Sequence, residues 1–87
     1  MTISTQQYTI DTARVMIAGP DNSSQRVTVH NNESSQQVFL GGDNVTTANG
    51  IFLDGKEERQ ITLNPGESLY AVSTSPHVIS VMVQKQH

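Results

Sequence analysis

Clusters of turn-forming residues recur along the chain at spacings of about 8–12 residues, which leaves no room for helices of ordinary length. Gly19-Pro20-Asp21-Asn22-Ser23-Ser24, Asn31-Asn32-Glu33-Ser34-Ser35, Gly41-Gly42-Asp43-Asn44, Asp54-Gly55 and Asn64-Pro65-Gly66-Glu67 mark the breaks. Between them, apolar residues alternate with polar ones. Val27 and Val29 alternate with Arg26, Thr28 and His30; Ile61 and Leu63 alternate with Gln60, Thr62 and Asn64. A period of two is the pattern of a half-buried antiparallel strand. No segment carries a sustained i, i+3, i+4 apolar stripe.

The expected strands are 12–18, Gln25–Asn31, 36–40, Ile51–Leu53, 57–63, 68–74 and 77–84. Ile3, Tyr8 and Ile10 make 1–11 weakly strand-like, either an N-terminal arm or an edge strand. Seven or eight short strands with essentially no helix predict an all-β fold, a small antiparallel β-sandwich of jelly-roll-like or Ig-like form. Asp54-Gly55 predicts a hairpin joining Ile51–Leu53 to 57–63. In Asn64-Pro65-Gly66-Glu67, proline presets one φ and glycine supplies a positive one.

At 87 residues the chain holds one domain, 1–87, and its core is thin. Hydrophobic residues make up 34% and there is no Trp or Cys, so neither disulfides nor thiolate metal sites supplement the core. Such a domain gains from association, and a homo-oligomer is expected, a trimer foremost. The net charge is only -3, and Arg14, Arg26, Lys56, Arg59 and Lys85 are scattered, which argues against nucleic acid. No apolar run has the roughly 20 residues of a membrane-spanning helix, so no membrane partner is expected. The first residues, Met1 to Gln7, have neither the basic start nor the apolar middle of a signal peptide, which predicts synthesis and retention in a cytoplasm unless the protein leaves within a particle. Without such a signal, the sequon matches at Asn22, Asn32 and Asn44 are read as chance.

Catalytic chemistry finds little purchase. His30, His77 and His87 are expected to be solvated surface histidines, and no nucleophile elbow accompanies the serines. The histidines do not stand at metal-ligand spacing, and Asp43-Asn44 lacks the regular ligand spacing of a calcium loop. Gly41-Gly42-Asp43-Asn44 lacks the lysine and helix of a phosphate loop. No enzyme, no cofactor and no metal site is expected.

The middle of the chain is more distinctive. Val38-Phe39-Leu40 and Ile51-Phe52-Leu53 bracket a polar loop that opens Gly-Gly and closes Asn-Gly. Glycine and asparagine tolerate positive φ, so both loop ends are expected to bend sharply. Asp, Asn and Thr side chains inside it can bond its own backbone. Two readings follow. The loop is a self-bonded strand connection, or Asp43, Asn44, Thr46, Thr47 and Asn49 form a contact surface for a neighbouring subunit. Ile3 and Tyr8 are candidate contacts on the N-terminal segment.

Four passages together carry a family resemblance. They are Arg26-Val27-Thr28-Val29-His30-Asn31, Gln37-Val38-Phe39-Leu40-Gly41-Gly42, Val45-Thr46-Thr47-Ala48-Asn49-Gly50-Ile51-Phe52-Leu53 and Leu63-Asn64-Pro65-Gly66-Glu67-Ser68-Leu69-Tyr70-Ala71-Val72. The chain resembles small β-sandwich virion structural proteins of tailed bacteriophages, over about two-thirds of its length, from Arg26 to Val83. Val-Thr-Thr-x-Asn-Gly is the distinctive element; Pro-Gly-Glu-x-Leu is a common turn. The resemblance implies a non-enzymatic head decoration (cement) protein that binds the major capsid protein on the capsid surface, made in the host cytoplasm. A tail or neck component is the alternative within that class. The rival from another class is a carbohydrate-binding β-sandwich. Its stacking platform would have to come from Tyr8, Phe39, Phe52 and Tyr70, and of these Phe39, Phe52 and Tyr70 are expected in the core.

Overall fold

The computed structural model describes residues 2–33 and 37–85. Eight strands run in chain order: β1 (Thr2–Ile10), β2 (Val15–Ala18), β3 (Gln25–Asn31), β4 (Val38–Gly41), β5 (Ile51–Leu53), β6 (Glu58–Leu63), β7 (Leu69–Ser73) and β8 (His77–Lys85). Among the described residues there is no helix. Two four-stranded antiparallel sheets form, one ordered β1-β8-β3-β6 and the other β2-β7-β4-β5. Successive strands cross between the sheets except at β4–β5, which pair within one, and this is the order of a double Greek key, so of the two expected forms this is the jelly roll. Gln36, the first residue of the strand expected at 36–40, and the turn residues Ser34 and Ser35 lie outside the described residues.

The alternation seen in the sequence becomes the two faces of each sheet. Val27 and Val29 of β3, Ile79 and Val81 of β8, and Ile10 of β1 point inward and are fully or nearly fully buried. Val38 and Leu40 of β4, Leu53 of β5, and Leu69 and Ala71 of β7 meet them from the second sheet. Two polar side chains that enter this layer are bonded there, since an unpaired one costs about 1–3 kcal/mol. Gln25 donates to the Gly19 carbonyl at 2.7 Å, and Asn31 donates to the Asp54 carbonyl at 3.1 Å.

Two local expectations change. The strand expected at 12–18 begins only at Val15, because residues 11–14 carry the chain from one sheet to the other. A register shift between Met16 and Ala18 then turns both Ile17 and Ala18 inward. Asp54-Gly55 does not close a hairpin. β5 pairs with β4, and β6 pairs with β3 in the opposite sheet, so 54–57 is a corner between sheets. In that corner Lys56 takes a positive φ (62°).

That corner and the turn at 64–67 share one construction. Each closes with an amide-to-carbonyl bond, Glu57 to Asp54 at 3.2 Å and Glu67 to Asn64 at 3.1 Å. Each glutamate also accepts the amide of the turn's first residue, at 2.7 Å in both. At 64–67 the positive φ (87°) falls on Gly66, as expected.

Candidate functional site

The central loop, 42–50, folds back over the outer face of the second sheet. Val72 of β7 and Phe39 of β4 point to that outer face, opposite one another in register. Val45 reaches down from the loop beside them, and both valines are 2% exposed. Here the glycines have a different role from the one expected. None of Gly41, Gly42 and Gly50 has a positive φ. A Cβ on Gly50 would stand 2.7 Å from Phe39 Cβ and 2.9 Å from Val45 Cγ2; one on Gly41 would stand 2.8 Å from Val45 Cγ2. Glycine is required because the loop sits directly on the sheet.

Side chains then fix the loop's shape. Asn49 Oδ1 accepts the Thr46 amide at 2.7 Å, and its Nδ2 donates to the Asn44 carbonyl at 3.3 Å. Thr46 Oγ1 accepts the Ala48 amide at 3.2 Å, and the Gly50 amide donates to the Thr46 carbonyl at 3.0 Å. The loop is therefore self-bonded. Val45, Thr46, Asn49 and Gly50, four residues of the distinctive motif, are the ones that build it. Asp43, Asn44 and Thr47 stand exposed. Beside the loop, a cleft of about 610 Å³ runs between Thr46 and Thr47 on one wall and Thr12 and Arg14 on the other. It is rich in hydroxyls, and Arg14 is the charged side chain among the described residues that line it.

Ile3 and Tyr8 belong to a separate region. β1 forms one edge of the first sheet and pairs along its whole length with β8, from Thr2 opposite Lys85 to Ile10 opposite His77. Among the described residues no strand lies along its other side. Ile3 is on the outer face and 58% exposed, whereas Tyr8 points inward and packs against the core. The seven expected contact residues thus divide between a loop on one sheet and an edge of the other.

The histidines and aromatics depart from expectation. His30 is half-buried and donates from Nδ1 to Asn32 Oδ1 at 2.7 Å. His77 is not a surface residue: it is 6% exposed, because β8 begins inward against Ile10. Its Nδ1 lies 3.1 Å from the Ser75 carbonyl and 3.2 Å from the Ser73 hydroxyl. The carbonyl requires the proton on Nδ1, and Nε2 is buried without a partner. Ser73 is fully buried and bonds the Gln37 and Ser75 carbonyls, so this pair pins the turn before β8 rather than presenting a nucleophile. His87 lies outside the described residues. None of the four aromatics is fully in the core. Phe39 and Phe52 form a tilted pair, 6.2 Å apart, on the outer face of the second sheet, with Phe52 49% exposed. No group of three His, Asp or Glu side chains able to hold a metal ion occurs among the described residues.

No protein-family model matches the chain, and no curated protein does. Among solved structures, a chain of the Bacillus endospore appendages, described as a novel family of disulfide-linked pili, shares the fold with a TM-score of 0.61. The match covers 99% of this chain and 87% of that one at 7% identity. At that identity the likeness shows a common fold. The present chain has no cysteine, so it has no means of disulfide linkage.

Proposed function

We propose that this protein is a non-enzymatic structural subunit of a virion, specifically a capsid decoration protein that binds the major capsid protein on the outside of the head. The observation that carries the structural reading is β1, a long uncharged strand that offers one whole edge of backbone donors and acceptors to a neighbour. A fold shared with a pilus subunit agrees with work in assemblies of many copies. The narrower assignment to a phage head rests on the resemblance carried by Val45-Thr46-Thr47-Ala48-Asn49-Gly50 and its flanking strands. Binding to a particle stabilises a thin-cored domain by mass action, because only the folded form binds.

The test is to purify particles from the source culture, separate heads from tails, and add the protein to heads stripped of it. The reading predicts that the chain purifies with heads and sediments with stripped heads at a fixed stoichiometry. Recovery with tails alone would move it to the tail or neck, and absence from all particles would end the virion reading.

The exposed Phe52 beside Phe39 favours a second reading, a carbohydrate-binding face, since aromatic rings stack on the apolar faces of sugars. Glycan-array binding that disappears in Phe52→Ala would establish it; an empty array removes it.

A further inference from the structure

Each sheet of an open sandwich has two edges, and each edge exposes unpaired backbone groups that invite another strand. Three of the four edges here are guarded. β2 has four residues and an irregular register between Met16 and Ala18. β5 has three residues. β6 carries Glu58 on its outer face and Arg59 on its inner face, directly opposite Val29, an inward-pointing charge that disfavours a further strand. β1 has none of these devices: it runs nine residues, Thr-Ile-Ser-Thr-Gln-Gln-Tyr-Thr-Ile, without a charge, a proline or a shift in register.

We propose that β1 pairs antiparallel with β1 of a second copy, with the two-fold axis at Gln6, so that two four-stranded sheets become one of eight strands. Because the other edges are guarded, the edge available on the second copy is the same one, which makes the contact isologous and closed. The register follows from overlap. Pairing centred on Gln6 uses the full strand and keeps like faces together, because every residue meets a partner of the same parity. On the outer face, Thr5 then lies opposite the partner's Gln7, and Ile3 lies opposite the partner's Thr9. On the inner face, Ser4 lies opposite the partner's Tyr8. Ser4 and Gln6 point inward yet are exposed, because the second sheet does not reach the first half of β1. The partner's Tyr8 would stand beside that uncovered stretch. The inference does not depend on the virion assignment.

Lysine substitution at Thr5 and Gln7 tests both the pairing and its register. Both side chains are exposed, so neither change disturbs the core. Thr5→Lys with Gln7→Lys sets lysine opposite lysine at two places in the pair, and like charges directly opposite destabilise a ladder. Thr5→Lys with Gln7→Glu sets opposite charges at the same two places. In light scattering on the purified chain, wild type is expected at twice the 9.5 kDa chain mass. The double-lysine variant is expected at the single mass with unchanged circular dichroism, and the lysine–glutamate variant at the double mass again. A single-chain or threefold mass for wild type would overturn the proposal, as would a double-lysine variant that still pairs. Such a result would leave the capsid-binding reading standing, since that is read from sedimentation with heads.

Discussion

The central loop and β1 have similar chemistry, threonine with asparagine or glutamine and a few apolar residues, but they dispose of it in opposite ways. In the loop, Asn49 and Thr46 turn their polar groups onto the loop's own backbone, and Val45 is sealed against the sheet. In β1, the backbone is bonded on one side only, and the side chains of residues 3–7 face water. Composition does not separate these cases. What separates them is whether the same chain supplies the partner. We propose on this ground that the loop serves stability and β1 association, and the two roles can be tested separately.

The largest expected effect is at Gly50. In Gly50→Ala the new methyl meets Phe39 Cβ at 2.7 Å and the Thr46 carbonyl at 3.1 Å, so the loop must lift. Overpacking of this kind costs about 3 kcal/mol, or roughly 12–24 °C in Tm for a domain of this size. Thermal unfolding checks it, and association at low temperature should be unchanged. Val45→Ala, which removes two buried methyl groups under the loop, is expected to cost about 2 kcal/mol in denaturant unfolding. Asn49→Ala loses two exposed hydrogen bonds and is expected to cost about 1 kcal/mol. If any of these three abolished pairing while the fold persisted, the division between loop and edge would fail.

The smallest effect is at the far end of the β1–β8 ladder. Lys85 lies opposite Thr2 and also holds Asp21 at 3.0 Å. The Lys85 hydrogen bond keeps the Asp21 carboxyl below its ordinary 3.8, against a partial burial that pushes it up. A lowered carboxylate pKa contributes stability above the ordinary value and loses it as pH falls through the folded one. The protection factors of the β8-bonded amides near Thr2, taken relative to the intrinsic exchange rate at each pH, should therefore fall below pH 3.8, with no matching change in the loop. Asp21→Asn should remove that dependence.

Much of the fold was legible because alternation with period two needs only local sequence. Val27, Val29, Ile79 and Val81 announce their faces without any knowledge of their neighbours. What was not legible depended on which strands pair. Asp54-Gly55 looks like a hairpin turn until β5 and β6 are found in different sheets, a non-local outcome that no dipeptide encodes. The positive φ at Lys56 follows from the same crossing. The roles of Gly41 and Gly50 were hidden for a related reason: close approach to Phe39 and Val45 exists only once the loop has folded over the sheet. His77 was misjudged because Pro76 suggested an exposed strand start, whereas pairing with Ile10 draws it inward. Tyr8 and Ile3 were named as contacts from a weak strand signal. Only the sheet order shows that the strand bearing them is an edge.

The measurement that bears most directly on this account is amide hydrogen exchange of the wild-type chain at several concentrations. Pairing through β1 predicts that the β1 amides directed away from β8 gain protection as concentration rises, while those of β2, β5, β6 and the central loop keep their rates. Concentration-independent exchange in β1, or a gain of protection at another edge instead, would contradict it.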